Sequence, residues 1–229
     1  MNKKTLIAAV LLLALAGAMP VFAEGRQAGD MQIGGLLSLG ISNADATVWD
    51  GASVGNFLAG DPTLWGDASL DPGAAGGLGF SFRYFLTDSL ALGTGLHFVA
   101  KSFTLVYPAR TASSDLEIEC TAYFATVPLG LRYVADIFYA GGGLYYGMAG
   151  DMDTETTAGG ITAKDTLSID DDFGLYVELG VDIPLGERLS LDLGARYERG
   201  LTTIYDDDDV ITDIKTRALF FGVGLSYLL

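Results

Sequence analysis

The chain has few cysteines, histidines and basic residues, and these shortages exclude several classes of protein. Among 229 residues it has one cysteine, one histidine and 13 lysines and arginines. Cys120 has no partner for an internal disulfide, and a catalytic thiol would need a nearby base where only His97 is available. The 29 acidic side chains give a net charge of −16. A nucleic-acid partner is not expected, because phosphate backbones would be repelled.

Long apolar runs are also missing after the first 23 residues, where none approaches the ~20 residues that a membrane helix needs. The N-terminal apolar stretch, Thr5–Gly17, is too short for such a helix. It follows Lys3 and Lys4 and precedes Val21-Phe22-Ala23, whose composition suits a cleavage site. This arrangement is typical of a secretory signal peptide. We expect residues 1–23 to be cleaved off.

The remaining residues, 24–229, are enough for one domain. Half of the residues in the chain are hydrophobic and 31 are glycines, which argues against a disordered acidic chain. If this part crosses a membrane it must form a closed barrel, because an open sheet edge in lipid would leave backbone N–H and C=O groups unpaired. We therefore expect a single β-barrel domain at 24–229.

Alternation with a period of two dominates the sequence after residue 30, as expected for strands with one apolar face. In the cleanest segment, 172–184, odd-numbered positions are apolar and even-numbered positions are mostly glycine or acidic. The polar face is rich in glycine, which suits the crowded interior of a small barrel better than the wet face of a soluble sandwich. About eight such segments occur, at roughly 31–42, 77–86, 89–103, 120–134, 137–149, 172–184, 188–199 and 217–229.

The links between these segments differ in length in a regular way. Three are short, at 87–88, 135–136 and 185–187, and four are long, at 43–76, 104–119, 150–171 and 200–216. Bacterial outer-membrane barrels have this pattern, with short periplasmic turns and long extracellular loops. The sequence predicts a transmembrane antiparallel up-and-down β-barrel of about eight strands. The link 43–76 holds either a structured external loop or an extra hairpin.

Ionisable residues within the segments fall on the small and polar face, except Arg217 at the outer end of the eighth segment. A charge on the lipid face would cost about 2–4 kcal/mol at the midplane, so a membrane barrel should sort them into its lumen. We expect Glu178 and Arg196, on neighbouring strands, to form an ion pair. The network either fills the lumen structurally or forms a selectivity ring in a pore. The predicted lumen charge network is Arg83, Arg132, Glu178, Asp182, Asp192 and Arg196.

Aromatic residues of the apolar face form two groups, separated by eight to ten residues along the strands. Such groups are typical of the aromatic girdles at the two membrane interfaces. The group near the short turns is Tyr84, Tyr133, Phe138 and Tyr227, and the other is Phe98, Tyr123, Tyr146, Phe173 and Tyr197.

Three motifs resemble the small outer-membrane β-barrel proteins related to outer-membrane proteins A and X. They are Arg83-Tyr84-Phe85 before a tight turn, the run Thr126–Tyr133, and the alternating C-terminus. The resemblance implies export to the bacterial outer membrane and insertion by the barrel-assembly machinery. It does not imply one function, because this fold serves several. The C-terminal residues that would act as the assembly signal are Phe221, Val223, Leu225, Tyr227 and Leu229; the family usually ends in Phe or Trp instead.

We expect a structural or surface-interaction protein rather than an enzyme, without a cofactor and as a monomer in outer-membrane lipid. A narrow porin or carrier for small solutes is the alternative. A barrel enzyme or a soluble lipocalin-like barrel fits less well, because His97 lies in mid-strand and the apolar face carries the aromatic groups. Acidic clusters in the loops are solvated or hold divalent cations through carboxylate oxygens. These clusters are Asp151–Glu155, Asp170–Asp172 and Asp206–Asp209.

Overall fold

The computed structural model describes residues 26–205 and 211–229. The predicted signal peptide at 1–23 and the acidic cluster at 206–209 lie outside the described residues. The elements are β1 (Met31–Val48), α1 (Gly51–Ala59), β2 (Ser69–Thr87), β3 (Leu90–Tyr107), β4 (Leu116–Ala135), β5 (Phe138–Ala158), β6 (Ile161–Ser168), β7 (Asp172–Pro184), β8 (Leu189–Gly200) and β9 (Ile211–Leu228).

Eight of the strands form a closed antiparallel ring. Each pairs with its neighbour in the chain, β5 pairs with β7, and β1 pairs with β9 to close the ring. The prediction of an up-and-down barrel of about eight strands is confirmed. The described part of the chain adds a ninth strand, β6, which pairs only with the outer half of β5. The link predicted as a loop at 150–171 is therefore largely a β-hairpin.

Several strands extend further toward the long-loop end, which we call the top, than the sequence predicted. β3 continues to Tyr107 and β4 begins at Leu116, so the predicted loop 104–119 shrinks to a short link. The cause is an inversion of the apolar face. Below Phe98 the outward side chains of β3 are apolar except for Thr94, whereas above it Phe103 and Leu105 point inward and are buried. This change interrupts the alternation that marked the strand.

The segment 43–76 contains the ends of two strands and a helix, so the alternative of an extra hairpin is wrong. Asp50 caps α1, its carboxylate accepting a hydrogen bond from Ser53 N at 2.7 Å. The hydrogen bond from Ser53 lowers the pKa of the Asp50 carboxyl below its usual value. Gly60 ends the helix with φ 69°, a left-handed conformation that favours glycine. Val54 of α1 is fully buried in the apolar interior of the upper barrel.

The outer surface of the lower barrel is an apolar band. Leu39 is 69% exposed, Phe80 67% and Leu179 64%, values that a water-soluble barrel would avoid on contiguous strands. All nine predicted girdle aromatics are exposed on this band. Among the described residues, no helix is long and apolar enough to cross a membrane.

Candidate functional site in the barrel lumen

The lumen is the candidate site because it collects nearly all the buried charges of the protein. Inward positions alternate with the outward apolar ones, so the charged residues on even positions of β4, β7 and β8 and on odd positions of β3 enter it, as does Arg83 of β2. Glycines on the same faces make room for the long side chains. Gly141 is an example, since a Cβ there would come within 3.0 Å of the Glu178 carboxylate.

A lower cluster of charges lies toward the short-turn end. Asp192 is its centre, with Arg83 Nη2 at 2.6 Å and Arg132 Nη1 at 2.9 Å from the same carboxylate oxygen. Arg132 also binds Glu178 through Nε at 2.7 Å. Arg83 lies 4.0 Å from Asp182. The structure thus brings together five of the six residues of the predicted network.

Two further side chains complete the hydrogen bonding of the lower cluster. Tyr139 donates its hydroxyl to the second oxygen of Asp192 at 2.7 Å, and its ring lies 3.7 Å beneath the Arg132 guanidinium. Gln32 accepts a hydrogen bond from Arg83 Nη1 at 2.9 Å. A buried ion pair is stable only when such additional partners satisfy its remaining donors and acceptors.

The ion pair expected between Glu178 and Arg196 is not formed. Their Cα atoms are opposite each other in the β7–β8 register, as the short turn predicted. Arg132, which lies two strands away on the other side of Gly141, binds Glu178 instead. Arg196 approaches Glu198 Oε1 at 2.9 Å and lies 3.8 Å over the ring of Tyr176. The register was therefore right, and the pairing was wrong because a small lumen also brings non-neighbouring strands within reach.

An upper cluster surrounds Lys101, which sequence reasoning missed. Lys101 is 1% exposed, and its Nζ lies 3.1 Å from both Asp172 Oδ2 and Glu198 Oε2. Tyr145 and Thr216 each donate a hydroxyl hydrogen bond to Asp172, at 3.0 and 2.8 Å. Four charged residues are therefore held here: Lys101, Asp172, Arg196 and Glu198.

The alternation of inward and outward positions along the strands could have predicted this cluster. Lys101 has the same odd parity as His97 in β3, and Asp172 the same even parity as Glu178 in β7. Asp172 was grouped with its neighbours as part of a solvated acidic loop, but it is fully buried. Asp171, beside it, does remain at the surface, where hydrogen bonds from Tyr146 and from Ala149 N lower the pKa of its carboxyl.

A cavity of about 90 Å³ separates the two clusters. Its wall includes His97, Arg196 and Tyr176. His97 Nε2 and Arg196 Nη2 are buried without a hydrogen-bond partner among the described residues. A polar cavity of this size holds water readily.

An apolar core fills the barrel above the upper cluster. It lies where the sequence predicted loops, because the strand ends there carry inward apolar side chains. The core also receives Val54 from α1 and Trp65 from the following loop. Its largest fully buried members include Phe103, Leu105, Tyr107, Leu116, Met152, Ile204 and Ile214.

The predicted assembly signal lies on β9, beside the seam where this strand pairs with β1. Phe221, Val223, Leu225 and Tyr227 all point outward, and Leu229 follows the strand end. Arg217, the one ionisable residue found on this outward face from the sequence, lies above the aromatic groups and within 3.3 Å of Asp45. It therefore does not interrupt the apolar band.

The acidic loops do not form a preassembled cation site in the part of the chain that the structure describes. No group of three or more histidine, cysteine, aspartate or glutamate side chains there has a geometry that could hold a metal ion. Asp153 and Glu155 are instead spread along one exposed face of the β5–β6 hairpin, with Lys164 within 2.6 Å of Glu155.

Comparisons with solved structures find outer membrane proteins. OprG of Pseudomonas aeruginosa is 16% identical, over 90% of this chain and 99% of OprG, with a TM-score of 0.45. AlkL, solved in DMPC bilayers, is 17% identical over 92% of this chain and 95% of AlkL, with a TM-score of 0.50. The outer membrane protease OmpT of Escherichia coli is 9% identical over 93% and 100%, with a TM-score of 0.43. A search of curated protein sequences finds no match.

Of these three, AlkL has a TM-score of 0.50, and at 17% identity it supports the fold alone. A family model gives the broader assignment. The model described as "Outer membrane protein beta-barrel domain" matches residues 9–227, and the outward apolar band and closed ring are what that description requires. The chain therefore belongs to the outer membrane protein beta-barrel domain family and is a protein of the bacterial outer membrane.

Proposed function

We propose that this protein is a closed, non-conducting barrel with a structural or surface-interaction role. The short turns face the periplasm and the long-loop end faces outward, with residues 1–23 removed as a signal peptide. The observation that carries the proposal is the filling of the lumen at three successive levels. These are the lower charge cluster, the upper charge cluster and the apolar core.

Each level obstructs a water path in its own way. In the lower cluster, Arg83 and Arg132 meet on one oxygen of Asp192, so the pairs bridge the lumen. In the upper cluster, Lys101 holds carboxylates from β7 and β8. Above them the core is apolar. At eight strands the interior is just wide enough for side chains to fill, which agrees with these contacts.

The long-loop end offers the surface for interaction. Strands rise above the aromatic groups and carry α1 and the β5–β6 hairpin, and the hairpin's outer face is acidic and polar. The partners we infer are outer-membrane lipid, the barrel-assembly machinery acting on the β9 signal, and divalent cations recruited by loop carboxylates. We infer a monomer without enzymatic activity, since His97 lies in the cavity wall within the barrel.

A narrow porin or carrier for small solutes is the second candidate, and one observation favours it. The cavity between the clusters presents unpaired nitrogen atoms of His97 and Arg196 beside apolar wall residues such as Leu36 and Phe220. A small polar solute could occupy such a chamber if both clusters opened.

Single-channel recording of the refolded protein in a planar bilayer tests the proposal. We expect no stable openings for the native protein or for Arg188→Gln, an exposed charge change at the short-turn end. Stable, voltage-independent openings whose ion selectivity changes when Arg132 or Asp192 is neutralised would reject the closed barrel and support the carrier.

A further inference from the structure

The short segment that precedes β1, residues 26–30, folds onto the short-turn mouth of the lumen. Gly29 N donates a hydrogen bond to Phe85 O at 2.8 Å, and Phe85 N donates one to Asp30 O at 2.9 Å. Gly29 has φ 98°, a backbone conformation that side chains rarely adopt. The segment is therefore fixed to the end of β2 by its own backbone before any side chain is considered.

Arg26, at the start of this segment, reaches into the mouth. Its Nη2 lies 2.5 Å from Asp182 Oδ2, and the side chains of Arg26 and Asp182 are only 17% and 3% exposed. The guanidinium carbon lies 5.7 Å from the centroid of the Phe85 ring, which is itself buried. Arg26 thus has a charged partner and an aromatic partner inside the barrel end.

The charge balance of the lower cluster depends on Arg26. Without it, the guanidiniums of Arg83 and Arg132 face three carboxylates, those of Glu178, Asp182 and Asp192. Arg83 is held by Asp192 at 2.6 Å and reaches Asp182 only at 4.0 Å, so Arg26 supplies the close counter-charge. A buried carboxylate that loses its partner must take up a proton or admit water.

We propose that residues 26–30 are a latch that closes the periplasmic mouth of the lumen, with Arg26 as the residue that locks it onto Asp182. The proposal rests on the closed lumen of the proposed function and names the element that closes it from below. When Arg26 leaves, water enters to solvate Asp182, and the side chains just inside the mouth become accessible. The latch is a local element, so the apolar core at the opposite end stays closed.

Thiol accessibility tests the latch directly. Ser190 is 6% exposed, lies two residues from Asp192 toward the mouth, and hydrogen-bonds within a buried cluster with Gln32 and Ser226. In the refolded full-length mature protein, Ser190→Cys in a Cys120→Ser background is reacted with a small methanethiosulfonate and followed by intact mass. Arg26→Ala and Asp182→Asn are then added separately, and Arg188→Ala is the control that removes an exposed positive charge at the same end.

We expect Arg26→Ala and Asp182→Asn each to speed labelling of Cys at 190 by about tenfold or more, the factor expected for losing a hydrogen bond between charged groups. Arg188→Ala should leave the rate unchanged. The native Cys120, buried in the apolar core and tested with Ser190 intact, should label equally slowly with and without Arg26→Ala.

Equal rates for Arg26→Ala and Arg188→Ala would overturn the latch. So would equal acceleration at positions 190 and 120, which would mean general loosening rather than opening at one end. Fast labelling of Cys at 190 with Arg26 intact would instead show that the native lumen is open from below, and this result would count against the proposed closed barrel.

Discussion

The pairing of Glu178 with Arg132 rather than with its strand neighbour Arg196 is a prediction that energetics can check. Two substitutions of similar shape, Glu178→Gln and Arg132→Met, remove one charge each, and Arg196→Met gives the matched comparison. The structure places Arg132 Nε at 2.7 Å from Glu178 Oε1, whereas Arg196 is engaged by Glu198 at 2.9 Å. Only the first pair should therefore be energetically coupled.

The expected magnitudes follow from burial. Arg132→Met leaves the buried Glu178 carboxylate without its close partner and Asp192 with Arg83 alone, and it should lower the free energy of unfolding by about 3–5 kcal/mol. Glu178→Gln removes one hydrogen bond between charged groups, worth about 1.5–3 kcal/mol, because Arg132 keeps Asp192. The coupling energy of Glu178 with Arg132 should be about 1.5–3 kcal/mol, and that of Glu178 with Arg196 within about 0.5 kcal/mol of zero.

Equilibrium unfolding by urea of the protein refolded in detergent measures these values for each single and double variant. Unchanged m-values would show that the unfolding reaction is the same in all of them. A coupling to Arg196 as large as that to Arg132 would refute the pairing of Glu178 with Arg132. It would restore the simpler rule in which charges pair with their neighbours along the sheet.

Three further predictions concern other parts of the barrel. Lys101→Met should lower the free energy of unfolding by about 3–5 kcal/mol in the same urea assay, and adding Asp172→Asn should recover part of it; no recovery would contradict the buried pair. The stabilisation of α1 by Asp50, whose pKa is lowered, should be complete above the unfolded value of 3.8 and be lost as pH falls through the lower folded value. Protection of the Ser53 and Val54 amides from hydrogen exchange should fall with this loss. Asp50→Asn, which caps the helix without titrating, should abolish the pH dependence of that protection; an unchanged pH dependence of the protection would rule out Asp50 as its cause. In a Cys120→Ser background, a cysteine at Lys164 should react with an impermeant maleimide on whole cells and one at Asp136 should not, and the opposite pattern would invert the orientation.

The membrane-facing part of the fold could be predicted from the sequence because one rule governs it. In the lipid band every outward position is apolar or small, so the alternation is readable and the strand 172–184 was placed with the bounds that the structure shows. The same rule identified the inward charges, including the register that puts Glu178 opposite Arg196. Local periodicity is sufficient to predict a strand wherever its outward face meets one kind of surroundings, here the lipid.

The upper barrel escaped prediction because the surroundings of the sheet change there. Outward positions of β4 change from Tyr123 to Thr121 and Glu119, while inward positions hold Cys120 and Ala122. The period of two continues, but the apolar face exchanges sides, and the segment then resembles a polar loop. A search for alternation that reverses phase at an aromatic residue would have extended these strands.

The partners of the charges could not be read from the sequence for a different reason. Arg132 and Asp192 are 60 residues apart and lie on strands that are not neighbours in the ring. Their meeting depends on the diameter of the closed barrel and on which side chains fill it, and neither quantity is local. Lys101 lies in the part of β3 where the apolar face has changed sides, and its partners are on strands that are not its neighbours. Both effects hid it from sequence analysis.

The reversal of the apolar face also fixes how deep the barrel sits in its bilayer. On β4 the lipid-facing run extends from Tyr123 to Tyr133, with carboxylates immediately above at Glu119 and Glu117. The ten steps between these eleven residues, at about 3.3 Å each and tilted by about 40°, span about 25 Å of membrane thickness. Sinking by one residue pair would carry carboxylates toward the acyl chains, and rising by one pair would expose apolar rings to water. The height of the apolar band is thus matched to a thin membrane, and in a thicker membrane the surrounding lipids would have to compress around the barrel.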